Sequence, residues 1–132
     1  MRPVETQDER IGVYHNLRKR YGVEWVIITG GSEGIEAFDG NVLAVATVPS
    51  VTVVNSIGSG DAATAGLVKA LAVVEGEKIS KPLSLREANL SRVVRYAAAS
   101  GTANCLSMVP GSLTLETFEH LCRKVNVSSR RI

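Results

Sequence analysis

Apolar and polar positions alternate between two periods along this chain, and the switches between them mark the predicted elements. Ile11, Tyr14, Leu17 and Tyr21 recur at helical spacing. Thr6-Gln7-Asp8-Glu9 ahead of them has the form of a capping box, and Gly22 behind them is a natural stop. Together they predict a helix over 7–21. Residues 25–29 form a short apolar, β-branched run that ends at Gly30-Gly31, which predicts a strand buried on both faces, as in a parallel sheet. Ile35-Glu36-Ala37-Phe38 alternates as an exposed strand would. Asp39-Gly40 is a hairpin signal, with the return strand over 42–48 and Pro49 closing it. A further short strand over 51–54 feeds a glycine turn.

The period then becomes helical. Ala62, Ala65, Gly66, Ala70 and Val73 give a small-residue face on a helix predicted from Ser59 to about Glu75, with a polar loop over 77–84 after it. Ser84-Leu85-Arg86-Glu87 is a second capping box. It leads into Leu90, Val93, Val94, Ala97, Ala98 and Gly101, a helix to about Asn104. Thr114 caps a last helix with Leu115, Phe118, Leu121, Cys122 and Val125 on its buried stripe, and 125–127 reads as a final edge strand. The order is helix, strand, hairpin, strand and three helices. That predicts an α/β sheet layered by helices. The sheet is an incomplete one, because the opening helix has no earlier strand to cross over from. Its missing partners are expected from truncation or from another chain.

Length and composition narrow this little. The chain of 132 residues fits one domain, and 45% hydrophobic residues with mean hydropathy +0.11 can build a core. The net charge of +2 argues neither for nor against a polyanionic partner. Arg18-Lys19-Arg20 reads as a solvated helix face, and Arg130-Arg131 as a frayed tail. Cys105 and Cys122 form no CxxC and have no histidine at zinc spacing. With no signal peptide or membrane span in view, they are expected as reduced thiols in a cytoplasmic protein, with no nucleic-acid and no membrane partner. His15 and His120 are expected to face solvent.

The candidate chemistry lies in two glycine turns. Neither has the spacing of a Walker A loop or a dinucleotide fingerprint. Gly58-Ser59-Gly60 opens a helix, where unpaired N–H groups attract anions, and Asp61 sits at its mouth. A carboxylate there competes with a bound anion unless it has its own task. Taking a proton from a hydroxyl that attacks a phosphate is such a task. On these grounds alone the turn is equally a plain strand-to-helix connector, and Gly30-Gly31-x-x-Gly34 reads more readily as a tight loop before the hairpin.

Asn55-Ser56-Ile57-Gly58-Ser59-Gly60-Asp61-Ala62 resembles the C-terminal signature of the ribokinase-like carbohydrate kinases, the PfkB family, usually written DTxGAGD. Residues 25–34 resemble that family's strand and nucleotide loop. Residues 42–51 resemble its hairpin over the nucleotide, and Gly101-Thr102-Ala103-Asn104 a segment near its adenine pocket. Asn55 in place of the first aspartate, with the 101–104 segment, most resembles the hexose-phosphate branch, the 1-phosphofructokinases and tagatose-6-phosphate kinases. The resemblance implies the C-terminal part of a three-layer α/β/α sandwich that carries the nucleotide site of a sugar kinase. It implies Asp61 as general base, and the amides of Gly58, Ser59 and Gly60 as an anion hole for the transferred phosphoryl group. It implies Thr29, Gly31 and Gly34 near the phosphate or ribose, and Val48 and Asn104 near the adenine. ATP and a hexose phosphate are the implied substrates, with Mg2+ on the ATP phosphates and held mostly by water.

The family's sugar-binding N-terminal half, its lid and its NxxE motif have no counterpart in these residues. The chain is therefore expected to be a nucleotide-binding half, with self-association through uncovered apolar surface as one outcome. Two other functions stay open: a nucleotide-binding module without catalysis, and a kinase of an unphosphorylated sugar or nucleoside.

Overall fold

The computed structural model describes residues 6–75, 78–82 and 89–132. Helix α1 spans Gln7–Tyr21, and its predicted cap is present: Glu9 N donates to Thr6 Oγ1 at 3.2 Å, and Thr6 N donates to Glu9 Oε2 at 2.6 Å. Strand β1 (Val26–Thr29) leads through a single 3-10 turn (Gly31–Glu33) into β2 (Ile35–Phe38), and β3 (Val42–Thr47) follows. Helix α2 (Ser59–Ala70) precedes a two-stranded sheet of β4 (Ala72–Glu75) and β5 (Lys78–Pro82). Helices α3 (Leu90–Cys105) and α4 (Leu115–Lys124) and strand β6 (Asn126–Arg131) complete the chain.

The main sheet has the order β1-β2-β3-β6. All three of its pairings are antiparallel, with registers Ile28↔Glu36, Ala37↔Ala44 and Ala46↔Val127. The parallel sheet expected from the apolar run at 25–29 is therefore corrected. Five residues separate β1 from β2. A parallel crossover needs a dozen or more, so the connection can only turn the chain back. The 25–29 run is also not buried on both faces, since only Val26 is fully buried and β1 is an edge strand. β2, by contrast, is covered on both sides. Ile35 and Ala37 join the core under α3, while Phe38 packs with Ile11 and Tyr14 of α1. Alternate residues of β3 divide in the same way, Ala44 and Ala46 toward α3 and Leu43 toward α1. The result is three layers: α1, the sheet, and α3 flanked by α2 and α4.

Three other expectations change, and a fourth falls outside the described residues. Residues 51–54 form no strand, and the amide of Val54 instead donates to Cys105 O at 2.8 Å. Helix α2 stops at Ala70, and 72–75 is a strand paired with 78–82 where a helix end and a loop were expected. The β-branched Val73-Val74 pair favours the strand, and helical spacing over so short a run cannot exclude it. Helix α3 is capped by Asn89, whose Oδ1 accepts from Arg92 N; the capping box at 84–87 lies outside the described residues. The frayed tail is strand β6, where Arg131 pairs with Val42 and Arg130 reaches Asp8 of α1 at 3.4 Å.

A part-buried polar cluster fastens helix α1 to the sheet. Arg10 forks onto Glu36 at 2.7 and 3.2 Å, and Tyr14 Oη donates to the same carboxylate at 2.5 Å. Burial alone would push the Glu36 carboxyl up, but the hydrogen bonds from Arg10 and Tyr14 outweigh it and hold the carboxyl below its ordinary value. Burial, and then Glu36, push the Tyr14 hydroxyl up. A carboxyl whose pKa falls on folding stabilises the fold above its unfolded value of about 4.3, and that contribution disappears as pH drops through the folded value. Acid unfolding followed by circular dichroism should therefore steepen below about pH 4.3, and Glu36→Gln should flatten that slope. An unchanged slope in the variant would exclude this cluster as its source.

Candidate active site

The glycine turn is held in place before α2 begins. The amides of Val54 and Asn55 both donate to Cys105 O, at 2.8 and 3.2 Å, so the turn hangs from the last residue of α3. Gly58 caps α2 in the left-handed region, φ 80°, which glycine reaches without the steric cost of a Cβ. Ser59 N donates to Ser56 O at 3.2 Å, and Ala62 N to Gly58 O at 2.9 Å. Among the described residues the amides of Gly58, Gly60 and Asp61 find no acceptor. Unpaired first-turn amides carry the positive end of the helix dipole, and an anion satisfies both. The Asp61 side chain stands exposed in this same first turn.

A cleft of about 470 Å³ opens beside the turn. Ser59, Gly60 and Ala63 of α2 form one side, and Ala97, Ala98, Gly101, Thr102 and Cys105 of α3 form another. Thr29, Gly31 and Ser32 close the end near β1, and the segment from Val48 to Val51 lies along the rest. The polar side chains on these walls are hydroxyls and one thiol, and among the described residues none is charged. A neutral, largely apolar slot with anion-seeking amides at one end suits a ligand with a flat apolar body and a charged tail.

The structure thus brings Thr29, Gly31, Val48, Ser59 and Gly60 onto one cleft, with Gly58 and Asp61 adjoining it in sequence. It places Gly34 and Asn104 elsewhere. Gly34 is buried with φ 98°, and a Cβ there would run into the Ala46 carbonyl, so it permits close approach of β2 to β3. Asn104 is 0% exposed, and its amide group is spent on main chain: Nδ2 donates to Ile57 O at 2.8 Å, and Oδ1 accepts from Gly111 N at 2.7 Å. Sequence reasoning missed the α3 wall as a set. Ala97, Ala98, Gly101, Thr102 and Cys105 recur at i, i+1, i+4, i+5 and i+8, one helical face, and their small size was the available signal. Cys105 is half-buried on this wall.

The cleft thus lies between a glycine-capped helix start and a small-residue helix, in an α/β/α sandwich. Residues 2–117 match the pfkB family carbohydrate kinase, and the chain belongs to that family. Tagatose-6-phosphate kinase of Staphylococcus epidermidis is 25% identical over 105 residues, which are 80% of this chain and 30% of that protein. A candidate phosphofructokinase from Staphylococcus aureus superposes with a TM-score of 0.77 at 25% identity, over 97% of this chain and 37% of that one. Escherichia coli phosphofructokinase-2, solved with potassium, gives 0.72 at 16% identity over 93% and 36%, a likeness of fold. The chain thus spans about a third of the length of the relatives it matches. Its fold is part of a ribokinase-like three-layer sandwich with a partial, four-stranded sheet.

Proposed function

We infer that this chain is the C-terminal, nucleotide-binding half of a sugar kinase that transfers the γ-phosphoryl group of ATP to a hydroxyl of a hexose phosphate. The observation that carries this is the exposed Asp61, one residue beyond Gly60 on the cleft wall, in a helix turn where the amides of Gly58, Gly60 and Asp61 have no acceptor among the described residues. The nucleoside lies along the small-residue face of α3, with Val48 against it, and Thr29 and Gly31 lie toward its ribose or phosphates. The amides of Gly58 and Gly60 hold the oxygens of the transferred group as charge builds on them, while the Ser59 amide, expected to join them, is spent on Ser56 O. Asp61 accepts the proton of the attacking sugar hydroxyl, whose oxygen bonds to phosphorus as ADP leaves.

The chain's own side chains do not fit a metal cage. Among the described residues no three of His, Cys, Asp and Glu come together. Mg2+ would therefore arrive on the nucleotide phosphates with most of its water, where it supplies charge neutralisation. The hexose-phosphate branch is favoured by the 25% identity to a tagatose-6-phosphate kinase, and sugar phosphate is accordingly the proposed partner besides ATP. Among the described residues no helix is long and apolar enough to cross a membrane.

As half of a site, the purified chain is expected to phosphorylate a hexose phosphate poorly or not at all. A steady-state assay with MgATP and tagatose 6-phosphate tests this. Turnover comparable with an intact kinase, about 1–100 per second, would contradict the half-site reading.

A further inference from the structure

The residue just before the capping glycine is gripped in an unusual way. Ile57 leaves its side chain 69% exposed, so packing does not fix it. Instead both of its main-chain groups are held by side-chain amides. Its N–H donates to Asn55 Oδ1 at 3.0 Å, and its carbonyl accepts from Asn104 Nδ2 at 2.8 Å. Each asparagine uses its other atom on the same downstream segment: Asn55 Nδ2 donates to Met108 O at 3.0 Å, and Asn104 Oδ1 accepts from Gly111 N at 2.7 Å. Four hydrogen bonds thus tie Ile57 to residues 108–111. Gly58 rests on the same support, since a Cβ there would lie 3.2 Å from Pro110 Cβ and 3.8 Å from Asn104 Nδ2.

We propose that Asn104 and Asn55 are positioning residues for the phosphate end of the site, a two-amide clamp that sets the direction of the Gly58 and Gly60 N–H groups. This rests on the proposed nucleotide site, and it gives Asn104 a task other than touching adenine. The physical case is economy of partners. A buried amide must satisfy both its donor and its acceptor, and Asn104 does so on two backbone groups of two different segments. That leaves its Oδ1 and one Nδ2 hydrogen committed, at a site with no exposure to a base. Anion binding by main-chain N–H groups depends on their shared direction, so loosening the residue that precedes them costs phosphate affinity first.

The test separates the two ends of the ligand. Binding of sodium tripolyphosphate and of adenosine to the 132-residue chain is measured for the wild type, Asn104→Ala and Asn55→Ala. Each variant is expected to bind tripolyphosphate about tenfold more weakly, the loss of one or two hydrogen bonds, while adenosine affinity stays within about twofold. Should Asn104→Ala not fold, the more accessible Asn55→Ala decides alone. Folded variants that hold tripolyphosphate as tightly as the wild type would overturn the clamp. So would a parallel loss of adenosine and tripolyphosphate, which marks a base contact or a general collapse. A wild-type chain that binds neither probe removes the nucleotide site itself, and with it the proposed function. A wild type that binds both, with variants that do not shift, removes only the clamp.

Discussion

Asp61→Ala is expected to lower phosphoryl transfer to a hexose phosphate by about 10²–10⁴-fold, the range that a positioned general base contributes. The measurement is radiometric, because the chain alone is expected to turn over slowly. The size of the effect follows from where the carboxylate stands. It is exposed at the first turn of α2, next to Gly60 of the cleft wall and beside the amides proposed to bind the phosphate, but does not itself line the cleft. Its removal takes away the proton acceptor and leaves the nucleotide walls intact. Asp61→Asn keeps the shape but not the basicity, and should fall as far as Asp61→Ala. If Asp61→Asn kept wild-type turnover, the proton would have another acceptor, and the role assigned to this residue would be lost.

Gly66→Val is expected to lower stability more than any other single change considered for this chain. Helices α2 and α3 meet closely at Gly66, where a Cβ would overlap the Tyr96 carbonyl and lie 2.5 Å from Ser100 Oγ. A helix carbonyl cannot step aside alone, so the two helices must part. Overpacking of this kind costs about 3 kcal/mol, and a valine adds two methyl groups to the clash. For a domain of this size that corresponds to a fall of about 10 °C in melting temperature. The same parting moves the α2 wall of the cleft from the α3 wall, so nucleotide binding should weaken alongside stability. A Gly66→Val chain that melts within about 2 °C of the wild type would show that the interface has slack the packing does not suggest.

Much of the helical framework was legible because its signals are local. The Thr6 capping box, the Gly22 stop, the Thr114 cap and the Phe118 and Leu121 part of the α4 stripe all act within a turn of their own residues, whereas Leu115, expected on that stripe, is exposed. The sheet was harder to read, because strand direction depends on what the connection allows. The buried run at 25–29 has the composition of a parallel strand, yet the short link through Gly31–Glu33 permits only a reversal. Burial misled in the same way. Ile35–Phe38 alternates like an exposed strand, but Glu36 is the docking point for Arg10 and Tyr14, so its face is covered by α1. Residues 72–75 continued a helical pattern on paper and became a strand, since so short an apolar run, Ala72-Val73-Val74, fits both periods.

The glycine turn was legible as an anion-seeking helix start, and the structure supplies what holds it. No spacing rule connects Asn55 and Asn104 to a common target at Ile57, because the 47-residue separation of Asn104 and Ile57 is closed only by the folding of α2 against α3. The α3 side of the cleft was hidden for a related reason. Alanines and a glycine on a helix face read as packing, and here part of that face is left uncovered beside the turn. Exposed apolar side chains surround the turn at Val53, Val54, Ile57, Met108 and Val109, the kind of uncovered surface from which self-association was expected.

Isothermal titration of MgATP into the wild-type chain and into Asp61→Ala tests the central claim most directly. The account predicts saturable, one-to-one binding to both, with affinities within about threefold of each other, because the carboxylate serves the sugar hydroxyl and not the nucleotide. A folded wild-type chain that binds no MgATP would contradict the nucleotide site, and binding that disappears in Asp61→Ala would contradict the assignment of Asp61 as the base.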